Sequence, residues 1–178
     1  MHQLITTYHL ELCDPAELRP AALPTDLNVV CAELPCPEFN RFLYTAVGGQ
    51  WYWIERLTWS YAQWLAYLQR PELATWVGYV AGTPVGYVEL ERQAAASVEL
   101  VYFGLLPAFI GRGLGGALLT VAIQRAWAMG AARVSVHTCT LDGPAALANY
   151  QARGMRIFKT EETSVDLPAQ PPGPWPGA

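Results

Sequence analysis

Charge is scarce in this sequence: Asp, Glu, Lys and Arg make up only 15% of its 178 residues, against roughly a quarter in an average soluble domain. What charge there is leans acidic, with a formal net charge of −4 and a pI near 5.3. A nucleic-acid partner normally calls for a basic patch, so the composition argues against one. Long apolar runs are missing too; none reaches the ~18 residues of a membrane span, and no membrane association is expected. The start, Met1 to Leu4, lacks a basic stretch followed by an apolar one, so a signal peptide is not expected and a cytoplasmic location is. The four cysteines, Cys13, Cys31, Cys36 and Cys139, contain no C-x-x-C pair. The nearest spacing, Cys31 to Cys36, has no second ligand pair to complete a zinc site, so no metal is expected and all four should be reduced thiols. There is no internal repeat.

Apolar and aromatic residues are plentiful, at 52% and 12% with seven Trp. A chain of this length fits one domain around one sizeable core. Apolar surface left over suits a substrate pocket or a homodimer. Alternating and β-branched residues predict strands over 3–12, 28–34, 75–81, 84–92, 97–106, 133–139 and 155–160. Helical spacing predicts helices over 38–47, 61–69, 113–129 and 144–152, with Ser60 as an N-cap. A Gly82-Thr83 turn should close a hairpin. The stretch 97–106 is apolar almost throughout and should be central. The expected fold class is therefore α+β: a mixed, largely antiparallel twisted sheet of six to seven strands, with about four helices on its two faces. One domain is expected over 1–166, followed by a Pro/Gly-rich tail over 167–178 that should be poorly ordered.

The chemically informative segment is Ile110-Gly111-Arg112-Gly113-Leu114-Gly115-Gly116, between the apolar strand and the longest helix. Closely spaced glycines let backbone N–H groups approach a ligand, and the helix behind them adds its positive dipole end. Such a turn suits a pyrophosphate, and Arg112 can add a charge-assisted contact. A P-loop would need Gly-Lys-Ser/Thr at its end, which is missing. A dinucleotide fingerprint fits literally as Gly111-x-Gly113-x-x-Gly116. Too little chain remains for a doubly wound fold, and the next strand, 134–138, ends without the acidic residue that motif requires.

The segment resembles the coenzyme A loop of the GNAT superfamily of acyl-CoA N-acyltransferases, whose signature is Arg/Gln-x-x-Gly-x-Gly/Ala. Arg112-Gly113-Leu114-Gly115 fit its last four positions, whereas Ile110 stands at the first. A second match lies after residue 139, where the family carries Asn-x-x-Ala-x-x-x-Tyr before a Gly-Phe step. Here Gly143 replaces the Asn, Ala146 and Tyr150 match, and Gly154-Met155 come next. The resemblance spans roughly 75–160 and implies a GNAT fold that takes acetyl-CoA as cosubstrate. The implied acceptor is the amine of a small molecule, peptide or protein. It further implies that Tyr150 protonates the departing thiolate, that Glu99 is the general base, and that Leu105 and Leu106 offer backbone groups to the pantetheine arm.

Glu89, Glu91 and His137 are further candidates for the base, and an apolar setting around Glu99 would raise its pKa. Trp51 and Trp53, in an aromatic stretch running to Trp59, could wall the acceptor site, with Arg41, Glu55 or Arg56 orienting a polar group. Plain core packing is the competing explanation for each of these aromatics. Two other functions remain open on sequence grounds: a non-catalytic acyl-CoA sensor, and a nicotinamide-dependent oxidoreductase using the same glycines.

Overall fold

The computed structural model describes residues 2–173. Seven strands form one sheet: β1 (His2–Leu12), β2 (Leu27–Cys31), β3 (Leu73–Val80), β4 (Thr83–Gln93), β5 (Ser97–Leu105), β6 (Arg133–Cys139) and β7 (Arg156–Asp166). Four α-helices accompany them: α1 (Pro37–Gly48), α2 (Tyr61–Leu68), α3 (Leu114–Ala128) and α4 (Ala146–Ala152). The strand order is β2-β3-β4-β5-β6-β1-β7. Every neighbouring pair is antiparallel except β5 and β6. A parallel pair needs a crossover, and α3 is that crossover. The sheet is mixed, as expected.

The two faces are packed differently. On one, Leu90, Val98, Leu100, Val134, Val136, Leu10 and Leu12 meet Leu119, Ile123 and Ala126 of α3 and Tyr150 of α4. On the other, Tyr87 and Val77 meet Leu43 and Val47 of α1, with Trp53 and Tyr102 alongside. The helix α2 begins at a reciprocal cap, in which the Ser60 side chain accepts from Gln63 N–H while Gln63 reaches back to Ser60 N–H. This satisfies two donors that the first turn of a helix leaves open.

Several local expectations shift. The β3–β4 turn is Ala81-Gly82, because Val80 pairs with Thr83; Ala81 takes φ 50° and Gly82 φ 79°. Both central positions of that tight turn need a positive φ, and the Ala at the first hid it. The last strand continues to Asp166, well past residue 160, because β7 pairs with β1 along its length. Within the tail, Leu167 is buried and Gly173 N–H donates to the Gly49 carbonyl. Residues 174–178 of that tail lie outside the described residues.

Two features of β5 place the site. First, Leu100 pairs with Leu90 and Tyr102 with Glu89, so Val101 is an extra residue with no partner on β4. A bulge of this kind bends its strand and re-aims the residues beyond it. Second, the β5–β6 ladder covers only Ser97–Leu100 against Arg133–Val136. From the bulge onward β5 diverges from β6, and the edge of residues 101–105 facing β6 is left without a ladder.

Candidate active site

The divergent ends of β5 and β6 form a notch that leads to the glycine turn. Residues 110–113 are exposed. Gly111 and Gly113 have φ of 81° and 78°, a left-handed conformation that costs an L-residue roughly 1–2 kcal/mol. A Cβ at either would meet nothing within 4 Å, so conformation and open access, rather than tight packing, call for glycine there. Gly113 is the N-cap of the 15-residue α3, and no side chain caps that end. The first-turn N–H groups and the dipole of a long helix are thus presented at an exposed turn, as an anion site requires. Arg112 lies over the Phe109 ring at the same turn.

The other two glycines do different work. A Cβ on Gly115 would sit 3.7 Å from both Asn149 Nδ2 and Leu105 Cδ1, so Gly115 lines the space between β5 and α4. A Cβ on Gly116 would overlap the Arg153 guanidinium and press on Ala21. Gly116 thus lets Arg153 and the segment after β1 close on α3, with its backbone N–H still in the first turn of that helix. Ile110 is exposed and Leu114 buried. Leu105 and Leu106 stand at the end of β5, where Leu106 N–H donates to Val85 on the β4 side. Asn149 and Arg153, which sequence reasoning did not assign a role, are brought beside the first turn of α3. Their spacing of one helical turn, across the C-terminal end of α4, was the available signal.

Tyr150 is 5% exposed and packs edge-on against Phe103, ring centroids 6.0 Å apart. Burial pushes its phenol well above the ordinary tyrosine value, so the side chain is a protonated donor at neutral pH. Ala146 opens the same short helix. Glu99 lies on the opposite sheet face, half-buried, where its Oε1 accepts from His137 Nδ1 at 2.9 Å and its Oε2 from Gln93 Nε2 at 3.3 Å. Its surroundings are therefore polar rather than apolar.

The aromatic stretch splits in two. Trp51 packs on Gly143, in the loop between β6 and α4, and so reaches the mouth of the notch. Trp53 lies against Tyr102, centroids 4.7 Å apart, and against Tyr44 and Tyr87. Arg56, expected to orient an acceptor, is 6% exposed and turned inward. Its Nη1 donates to Glu89 Oε2 at 2.9 Å. Its guanidinium lies 3.9 Å from the Tyr67 ring centroid, 4.5 Å from that of Tyr102 and 4.7 Å from that of Trp59. Glu89 is fully buried and also accepts from Tyr67 Oη at 2.9 Å and Asn40 Nδ2 at 3.5 Å. This closed polar cluster turns both Arg56 and Glu89 toward partners within the protein. Glu91 is paired with Arg70.

The exposed glycine turn and the split parallel strand pair both fall within one family match. The Acetyltransferase (GNAT) family profile matches residues 36–155, about two thirds of the chain. The chain belongs to the GNAT acetyltransferase family. Solved structures share its fold. A GCN5-related N-acetyltransferase from Kribbella flavida is 17% identical with a TM-score of 0.66, over 92% of this chain and 58% of that one. Another from Sphaerobacter thermophilus is 16% identical with a TM-score of 0.66, over 92% and 54%. An IAA acetyltransferase from Bacillus cereus ATCC 14579 is 25% identical with a TM-score of 0.54, over 74% and 79%. This GNAT chain spans a little over half the length of the first two. No curated protein matches it by sequence. Among the described residues, no group of three or more His, Cys, Asp or Glu is placed to hold a metal ion, and no helix is long and apolar enough to cross a membrane.

Proposed function

We propose that this protein transfers the acetyl group of acetyl-CoA to a primary amine by direct attack within a ternary complex. The observation that carries the reading is the exposed left-handed turn at Gly111 and Gly113, which opens an uncapped α3 beside the unladdered edge of β5. The turn takes the pyrophosphate. The free edge at 101–106 takes the pantetheine arm as an added strand would. The thioester then lies at the vertex of the notch, between Tyr150 on one sheet face and the Glu99 side on the other.

Transfer needs a deprotonated amine, a carbonyl held in line and a protonated leaving thiolate. Tyr150 supplies the proton to sulfur, and Glu99 serves removal of the proton from nitrogen. The nearby thiol is a poor acyl carrier: burial, with Asp142 close by, pushes Cys139 above the ordinary cysteine value, so little thiolate forms at neutral pH. Trp51 and Trp53 wall the acceptor side. An amine panel incubated with acetyl-CoA, with release of free thiol as the readout, tests the reading. Amine-dependent thiol release supports it. Binding of acetyl-CoA without turnover on any amine would favour the sensor, and tight NADH binding without coenzyme A binding would favour the oxidoreductase.

A further inference from the structure

On β6, Val134, Val136 and Thr138 point into the α3 side of the sheet, so His137 points to the other. It is the first β6 residue past the last ladder pair, Leu100 with Val136, which puts it at the vertex of the notch. The side chain is half exposed. Its Nδ1 lies 2.9 Å from Glu99 Oε1. A carboxylate can only accept, so Nδ1 carries the hydrogen and, in the neutral ring, Nε2 holds the lone pair. Among the described residues Nε2 has no hydrogen-bond partner.

We infer that His137 is the catalytic base that takes the proton from the acceptor amine, and that Glu99 is a positioning residue that fixes the ring and its tautomer. The inference rests on the acetyl-transfer reading. The acceptor's ammonium gives one proton to Nε2. The freed lone pair attacks the thioester carbonyl, and the C–N bond forms as the C–S bond breaks. Coenzyme A leaves as a thiolate and is protonated by Tyr150. The second proton on nitrogen restores the phenol, and the imidazolium returns its proton to solvent. Atoms and charge balance with one proton released per turnover.

The groups facing His137 favour its charged form. Glu99 on β5, Asp142 in the loop after β6 and Glu55 in the segment after α1 all raise its pKa above the ordinary value, with the Glu99 hydrogen bond as the largest cause. On β1 its neighbour is His9, ring centroid 5.9 Å away, which is held by Glu161 of β7, itself paired with Lys159. A stronger base suits an ammonium of high pKa.

The test compares wild type, His137→Gln and Glu99→Gln in kcat/KM against pH, in acetyl-CoA affinity, and in NMR titration of the His137 imidazole. His137→Gln should lower kcat by about 10²–10⁴-fold, leave acetyl-CoA affinity unchanged and abolish the acid limb of the profile. Glu99→Gln should move that limb and the imidazole titration together toward lower pH. The base assignment is overturned if His137→Gln keeps wild-type kcat and the same acid limb, or if Glu99→Gln shifts neither limb nor titration. Wild type that binds acetyl-CoA but acetylates no amine overturns the transferase reading and this inference with it. Active wild type with an indifferent His137→Gln overturns the inference alone.

Discussion

Replacing Arg56 by Met should destabilise the protein severely while sparing coenzyme A binding. Among the described residues the guanidinium is the one cation against a carboxylate with no exposed surface, at 2.9 Å. Once it is gone, Glu89 keeps only Tyr67 Oη and the longer contact to Asn40. Removing one partner of a buried pair typically costs about 3–5 kcal/mol, because the other charge is stranded. For a chain of this size each kcal/mol moves Tm by roughly 2–4 °C, so the drop should be roughly 6–20 °C. Urea unfolding and a thermal melt both read it. The double variant Arg56→Met/Glu89→Gln removes the stranded charge but leaves an acceptor for Tyr67, and should recover at least half of the loss. An Arg56→Met protein within about 1 kcal/mol of wild type would refute the reasoning, since so small a cost belongs to solvent-exposed pairs. The same variant separates structure from recognition: with Arg56 enclosed by Tyr67, Tyr102 and Trp59, acceptor KM at low temperature should change little.

Other consequences can be checked individually. Gly113→Val forces a β-branched residue to φ near 78° at the mouth of the anion site, and should weaken acetyl-CoA binding at least tenfold by calorimetry; Gly116→Ala should instead lower Tm, by crowding Arg153. Tyr150→Phe should cut kcat about 10²-fold or more with acetyl-CoA affinity preserved, read by thiol release and calorimetry. Ser60→Ala removes the reciprocal cap of α2 and should cost about 1 kcal/mol in urea unfolding. His137 has a raised pKa in the folded protein, so its contribution to stability is fully present below about pH 6.5 and fades as pH rises through the folded value. His137→Gln should flatten that part of the stability profile.

The fold was legible wherever one local rule decided it. Period-2 and period-3.6 patterns found all seven strands and four α-helices, and the glycines at 111 and 113 advertised the turn because few other residues accept that backbone. What was not legible depended on partners far apart in sequence. Arg56 reads like any surface arginine until Glu89, 33 residues on, closes over it. The apolar neighbours of Glu99, Val98 and Leu100, suggested an apolar pocket, yet in a strand they point to the opposite face, and His137 supplies the real environment. The packing role of Gly116 was hidden because Arg153, which needs its space, comes 37 residues later.

The bulge at Val101 ties these pieces together. Without the extra residue, strict alternation would carry β5 on in register with β4 and let its ladder with β6 continue past Leu100. With it, Val98 and Leu100 still face α3, while Tyr102 joins Tyr87 on the α1 side and Phe103 returns to Tyr150. The strand thus presents an anchor to each face just where its β6 edge becomes free. Deleting Val101, which restores register, should therefore close the notch. That variant should lose acetyl-CoA binding even though every glycine of the turn is kept, with calorimetry as the readout. Wild-type affinity in the deletion would mean that the turn alone holds coenzyme A, and that the divergence of β5 from β6 contributes nothing to the site.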